Sequence, residues 1–516
     1  MNHSFTFDKL YASEITAASL ADFDVLVVNI PRVNYTAAER SVITNWVQNG
    51  GGLFVLGDWV YPGGLENLNQ LTSGWGLKLD YDVADMGTFS TTELVDHPIL
   101  DYMHSVGIDG GKWLNLSGDA YPIVEYSGNI SIAGADPGVG RVILSGDINF
   151  LDRSHIQDDD NFQFAINVFN WLSSAAAHVL LYNDEFLKLN PYDVAPARAL
   201  ENLGIKYFLT RSIKYFNFSL HEYWDQWSLV VFDQPGGIAD SYLDDMQAWV
   251  ESGGKMIVSM YWMTNLADHP LWPLFGFIPL TTVPNQSDVH IWSSDNPIFN
   301  LPADYAATLF RPNVDYGIEG VTLHVFDNAT SLAGLTASEQ ENKSVIVTRN
   351  DGQTLFNSFL IDEFQADYDN STYMESLELW VNEIGYMYYD RPTINHPDDV
   401  TYITGETGNE IVWTPSASAG AWEYVLRING SIAESGSWSG GALTFNVDGY
   451  NASVTEYELT VYDVLGYSVS DTVLVNVTVE APPILDGFDP TLLIVGGAIA
   501  AVLIIVVLYM KKMKKS

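Results

Sequence analysis

The sequence predicts a multidomain chain of two α/β domains, one β-sandwich and one C-terminal transmembrane helix. Three observations carry that prediction. A strand–helix–strand pattern in residues 25–59 returns, without a gap, 203 residues later. From about Arg391 the helical spacing gives way to short alternating runs separated by Gly, Asn and Asp. Residues 492–510 are apolar or small throughout, and Lys511, Lys512, Lys514 and Lys515 follow at once.

The first copy opens with an apolar strand over residues 25–30. Thr36 and Glu39 then stand at the spacing of a capping box, which starts a helix. Gly50-Gly51 closes that helix, because the residue after a helix commonly takes a left-handed backbone. A second apolar strand runs to Asp58-Trp59. Two continuous apolar strands joined by a helix form a βαβ unit, so a parallel sheet covered on both faces is expected. In the second copy Leu229-Val230-Val231 answers Leu26-Val27-Val28. Trp249 answers Trp46, Gly253-Gly254 answers Gly50-Gly51, and Trp262 answers Trp59. Asp96-His97-Pro98-Ile99 is echoed by Asp295-Asn296-Pro297-Ile298. Each copy is expected to close on an aromatic-rich helix, ending near Trp171 and Trp380. The second copy also has a strand at 178–182 and a helix from Pro196 that the first copy lacks. The predicted boundaries are 1–175 for a first domain missing its N-terminal elements, 176–390 for the second, and 391–480 for the sandwich. A Pro-containing linker (481–490), the transmembrane helix (491–510) and a basic cytoplasmic tail (511–516) complete the chain.

A span followed by lysines puts the tail inside and everything before it outside. The expectation is therefore a single-pass, type I protein of the cell membrane. Gly496 with Ala500 and Gly497 with Ala501 are small-residue pairs in the span that allow a homodimer. The chain carries 22 Lys+Arg against 65 Asp+Glu, net −43, and four of the basic residues lie in the tail. So acidic a surface repels nucleic acid and anionic lipid. Cysteine is absent, which removes disulfides, thiolate nucleophiles and thiolate metal sites together. Twelve Asn-x-Ser/Thr sequons occur, against about five expected by chance. Besides Asn2 they are Asn34, Asn115, Asn129, Asn217, Asn285, Asn328, Asn342, Asn370, Asn429, Asn451 and Asn476, and they point to a glycosylated exterior. Residues 1–20 show neither the basic start nor the apolar stretch of a signal peptide, so the reading places the native start further upstream.

Two segments carry a family resemblance. One is Gly51-Gly52-Leu53-Phe54-Val55-Leu56-Gly57-Asp58-Trp59; the other runs from Gly140-Arg141 through Gly146-Asp147-Ile148-Asn149-Phe150-Leu151-Asp152 to Ser154-His155. With the helix from Asn161 to Trp171-Leu172, they resemble the class I glutamine amidotransferase-like, flavodoxin-like fold. The nearest resemblance is to the non-catalytic domain of site-one protease, and the intraflagellar-transport and gliding-motility relatives are similar. Residues 457–466, ending Asp463-Val464-Leu465-Gly466, resemble the immunoglobulin-like or polycystic-kidney-disease-like repeats of archaeal surface proteins. The resemblance implies no glutaminase chemistry, because the family's cysteine nucleophile has no counterpart here. No serine-protease nucleophile segment is present either.

Asp58 and Asp147 are expected at the carboxyl ends of strands, where open α/β sheets place ligands. With Trp59, Asn149, Asp152 and His155 they form the candidate ligand-binding set; the competing reading makes them caps of loops and helices. No catalytic residue, metal site or cofactor is assigned. Asp158-Asp159-Asp160 lacks the alternating spacing of a calcium loop and reads as a solvated turn. His97 and His269, each in Asp-His-Pro, read as turn residues. The function expected is a non-catalytic surface scaffold or receptor for a protein or glycan. The alternatives are the C-terminal accessory region of a membrane-anchored subtilisin-like protease whose catalytic domain is absent from this chain, and a carbohydrate-active enzyme using Asp58, Asp147 and His155.

Overall fold

A computed structural model describes residues 6–10, 14–31, 33–59, 64–183, 194–234, 239–263, 266–283, 288–302, 309–310, 320–359, 361 and 375–480. The protein is a multidomain α/β and β-rich chain that divides between Asp390 and Arg391 into two compact units.

The first unit contains two mixed sheets, one in each of two lobes. In the first lobe Val25–Asn29, Gly52–Leu56 and Arg141–Ser145 are parallel neighbours. The central strand is apolar throughout because its two faces serve two cores. Leu53 and Val55 pack with Ile43 and Val47 of the helix Ala37–Gln48, while Phe54 and Leu56 pack with Phe164, Val168 and Trp171 of the helix Asn161–Ser173. The capping box forms as expected: Thr36 Oγ1 accepts from the Glu39 amide (3.2 Å) and the Glu39 carboxylate accepts from the Thr36 amide (2.8 Å). Gly50 takes φ 104°, and Gly51 lies flat under Trp46, where an added Cβ would come 2.4 Å from the indole. The second lobe repeats the device, with Gly253 at φ 98° and Gly254 beneath Trp249.

In the second lobe Tyr207–Thr210, Val179–Asn183, Leu229–Gln234, Met256–Met260 and Thr354–Asn357 run parallel. Two of these strands lie outside Leu229–Gln234, whereas among the described residues the first sheet ends at Val25–Asn29. The strands of the βαβ units pair in parallel as expected, and each sheet as a whole is mixed. Past Arg141–Ser145 the first sheet continues antiparallel through Asn129–Ala135 and Tyr121–Tyr126, and past Thr354–Asn357 the second continues through Ser344–Arg349 and Ala329–Gly334. The closing helix of the second lobe, Glu375–Tyr388, runs past Trp380. The Asp-His-Pro and Asp-Asn-Pro echo is one cap used twice. His97 Nδ1 accepts from the Ile99 amide (3.2 Å) and Asn296 Oδ1 from the Ile298 amide (3.0 Å). His269 does the same for Leu271.

The lobes meet around Arg141, whose guanidinium is buried 3.6 Å from the Trp171 ring centroid. It donates to the Trp171 carbonyl (2.7 Å) and Ser174 Oγ (2.9 Å) in its own lobe, and to Gln226 Oε1 (3.2 Å) in the other. Asp136 supplies the opposing charge and accepts one hydroxyl from each lobe, Tyr121 (3.0 Å) and Tyr223 (2.9 Å).

The second unit is a sandwich. Ala421–Ile428, Ser431–Ser437, Ser453–Asp463, Ser468–Thr478 and Val400–Ile403 form one sheet, and Glu410–Trp413 with Leu443–Asn446 the other. Trp413, Leu459, Val461, Val473 and Val475 fill the space between them. Asp463 closes its turn by accepting from the Leu465 (3.0 Å) and Tyr467 (2.9 Å) amides, which requires Gly466 at φ 88°.

The transmembrane helix is removed from the fold class. Among the described residues no helix is long and apolar enough to cross a membrane, so the single-pass, type I topology has no support. The stretch 491–510, with Gly496, Gly497, Ala500 and Ala501, and the tail 511–516 lie outside the described residues.

Removing the Arg141 guanidinium strands Asp136, so Arg141→Ala is expected to cost about 3–5 kcal/mol in chemical denaturation followed by tryptophan fluorescence. Burial pushes the Glu383 carboxyl up to about 8, against the opposing hydrogen bond from Asn357. The unfolded chain then releases that proton near the ordinary carboxylate value while the native state holds it, so stability falls as pH rises from about 4.5 to 8. Glu383→Gln removes that fall and raises the unfolding midpoint at pH 9 by roughly 2–4 °C relative to wild type.

Candidate functional site

Two strands deliver the predicted residues. Gly52–Leu56 runs into Gly57-Asp58-Trp59, and Arg141–Ser145 into Gly146-Asp147. The Gly57 amide donates to the Ser145 carbonyl (2.8 Å), which holds the two strand ends together. An antiparallel ribbon of Met86–Thr91 and Val106–Gly111 crosses this end of the sheet. Its close approach depends on glycine: a Cβ on Gly111 would come 2.2 Å from the Gly146 carbonyl, and one on Gly146 would strike the Lys112 carbonyl.

Asp147 is fully buried beneath that ribbon, and both its carboxylate oxygens accept main-chain amides, Asp109 N (2.7 Å) and Asn149 N (2.6 Å). Asn149 Nδ2 returns a bond to the Asp109 carbonyl (3.2 Å). Asp58 is 8 % exposed and accepts from the Trp59 amide (2.7 Å). Trp59 itself is 61 % exposed. Asp152 caps the next turn through the Ser154 and His155 amides (2.7 and 3.1 Å). His155 then sits between two carboxylates, with Nδ1 3.0 Å from Asp152 and Nε2 3.5 Å from Asp109. All six predicted residues therefore stand along the two connected loops at the carboxyl end of this sheet.

Their protonation follows from this packing. Desolvation, with a smaller contribution from the charge of Asp58, lifts Asp147 to about 6 against three main-chain amides. Burial likewise raises Asp58. For His155 partial desolvation pulls downward, but the Asp152 hydrogen bond and the charges of Asp109 and Asp152 prevail and raise it. The set holds two carboxyls and one histidine of raised proton affinity, and among the described residues no hydroxyl hydrogen-bonds to the Asp147 carboxylate or the His155 ring. No group of three or more His, Asp or Glu among the described residues is placed to hold a metal ion.

Several participants were invisible in the sequence. Asp109, Lys112 and the ribbon that carries them lie between unremarkable strands, and Gly110-Gly111 is their one local signal. Lys112 is buried and paired with Asp85 (2.7 Å). The acidic run is structural: Asp160 Oδ2 accepts the His104 and Ser105 amides, and Asp159 accepts the Ser90 and Ser105 hydroxyls. Asn161 bonds to Gly107 in both directions and to the Phe150 and His155 carbonyls. In the second lobe Tyr261 follows the equivalent strand and the buried Phe359 stands at the position of Asp147.

No family model and no curated protein matches the chain. Solved structures give partial likenesses. The N-terminal domain of mmIFT52 is 19% identical over 31% of this chain and 82% of its own, with a TM-score of 0.27. A ThuA-like protein from Bacteroides uniformis is 11% identical over 41% of this chain and 91% of its own, at 0.29. The CARDB domain of a Pyrococcus furiosus protein is 20% identical over 18% of this chain and 96% of its own, at 0.15. At such TM-scores none of them carries an argument here, and none shows a relation to site-one protease or to polycystic-kidney-disease-like repeats.

Asp147→Ala strips two buried amides of their acceptor. It is expected to cost about 2–4 kcal/mol in stability and to speed hydrogen exchange at the Asp109 and Asn149 amides selectively. Unchanged exchange there would show that Asp147 does not hold the ribbon.

Proposed function

We propose that this protein is a non-catalytic binding or scaffold protein displayed outside the cytoplasm and glycosylated there. The observation that carries the non-catalytic reading is the engagement of Asp147. Each of its oxygens accepts a main-chain amide (2.7 and 2.6 Å), so the carboxylate best placed for chemistry pins the ribbon over the strand ends. Trp59, Asp152 and His155 are left as the surface-facing members of the set, suited to contact with a partner.

The glycosylated exterior is supported by exposure. Asn34, Asn115, Asn129, Asn328, Asn342, Asn429 and Asn451 are all exposed. Asn476 is half-buried, and Asn285 and Asn370 lie outside the described residues. Asn217 is different: its amide nitrogen, the atom a glycan would occupy, donates to the Tyr242 carbonyl (3.2 Å) and to Asp245 (3.0 Å).

A second reading, a carbohydrate-active enzyme, is favoured by one feature: burial raises the proton affinity of both Asp58 and Asp147, and the charge of Asp58 adds to that of Asp147. One experiment separates the two. The wild-type chain and an Asp58→Ala/His155→Ala variant are assayed with chromogenic glycosides, esters and phosphoesters, and neither is expected to turn over above the buffer rate. Turnover by wild type that the variant loses would establish the enzyme. For the exterior, glycopeptide mass mapping of the native protein is expected to find occupancy at the seven exposed sequons and none at Asn217. Bare asparagine at all seven would rule out the glycosylated exterior.

A further inference from the structure

At the opposite, amino end of the second sheet lies an open cleft of about 500 Å³. That size falls within the range of small-ligand sites. The internal repeat makes the cleft informative, because the first lobe has the same strand–helix–Gly-Gly corner and fills it. A Cβ on Gly50 would meet Ala176 at 2.8 Å, and the main chain at Gly140 lies against the Val47 carbonyl. In the second lobe nothing stands within 4 Å of a Cβ on Gly253. The corner that packing closes in one copy is open in the other.

The walls are specific. Trp224 is half-exposed and meets Trp249 edge to face, with centroids 5.1 Å apart at 77°. Trp227 and Trp249 have already spent their indole N–H groups on the carbonyls of Ser219 (2.9 Å) and Lys255 (3.2 Å), so they offer carbon surface alone. Around that carbon floor stand the exposed Asp225 and the ion pair of Lys255 with Asp390 (3.4 Å). Aromatic carbon ringed by carboxylates and an ammonium suits a ligand with an apolar face and a polar edge. An anionic ligand would meet Asp225 and Asp390 on a chain of net charge −43. Lys255 already pairs with Asp390 (3.4 Å), which leaves the lining one carboxylate in excess. A neutral ring bearing hydroxyls can use both members of that pair, donating to the carboxylates and accepting from the ammonium.

We propose that this cleft binds a neutral pyranose, with one C–H face of the sugar ring on Trp224 and its hydroxyls toward Asp225 and the Lys255–Asp390 pair. The site uses none of the residues from Asp58 to His155 and stands apart from the reading given for them.

The test is calorimetric titration of the full chain with the methyl glycosides of glucose, galactose, mannose and N-acetylglucosamine, with tetramethylammonium and inorganic phosphate as comparators. Saturable binding of at least one glycoside is expected, weakened about tenfold or more in Trp224→Ala and in Asp225→Asn and unchanged in Trp422→Ala, which alters an exposed tryptophan of the second unit. Should Trp224→Ala disturb the near-ultraviolet circular dichroism, Asp225→Asn and the conservative Trp224→Phe decide. No saturation by any of the four glycosides, tighter binding of tetramethylammonium or phosphate, or glycoside binding indifferent to both cleft positions would overturn the proposal.

Discussion

The first unit depends on the burial of one guanidinium. A charge the size of Arg141 is costly to remove from water, and the cost is recovered only where donors and countercharge are in place. Here the planar group lies on Trp171, gives hydrogen bonds to two acceptors of its own lobe and reaches Gln226 of the other. The countercharge is shared in the same way, since Asp136 takes one tyrosine hydroxyl from each lobe. Neither lobe can satisfy the group by itself. His97, stacked on Tyr121 and edge-on to Trp171, is held neutral by burial and by the same guanidinium, with its affinity for a proton lowered to about 3. Below about pH 6.5 the unfolded chain gains a proton that the native chain refuses, so acid weakens this junction.

The residues that attract attention in the sequence are mostly engaged in the same kind of work. Asp147, Asn149 and Asn161 satisfy main-chain groups that a ribbon lying across strand ends would otherwise leave unpaired, Asp160 does so for the residues leading into it, and Asp152 for its own turn. Such a ribbon is expensive without them, because its close approach at Gly111 and Gly146 excludes water from the amides beneath. The second lobe shows the alternative solution: Phe359 fills the place of Asp147 with apolar volume.

What was legible in the sequence was what local rules govern. The βαβ cores, the capping box at Thr36, the Gly-Gly stops under Trp46 and Trp249, and most of the sandwich strands follow from hydrophobic period and turn chemistry. The antiparallel halves of both sheets were not legible, because a short strand such as Asn129–Ala135 is buried on both faces from Ser131 on, whichever way its neighbour runs. Ser431–Ser437 escaped for the opposite reason, being an edge strand exposed along almost its whole length. The candidate site was legible as a list of residues. Its coverage by the ribbon was not, since Asp109 reaches Asp147 across 38 positions of chain.

The two lobes show how one repeat acquires two different surfaces. Both copies keep the Trp-over-Gly corner, which fixes the entry to the central strand and is intolerant of any side chain at Gly51 or Gly254. Around that fixed point the chain is free to vary. In the first copy the corner is closed against Ala176 and the turn before Arg141, which brings the guanidinium to the junction with the second lobe. In the second copy Gln353, just before the strand Thr354–Asn357, stands in the place of Arg141 and donates to the Val250 and Gly254 carbonyls, and the corner beside Gly253 stays open and lined with indole. The arginine that joins the lobes and the cleft left open at the far corner are therefore two elaborations of the same corner, with Arg141 in one copy and Gln353 in the other at the entry to the equivalent strand.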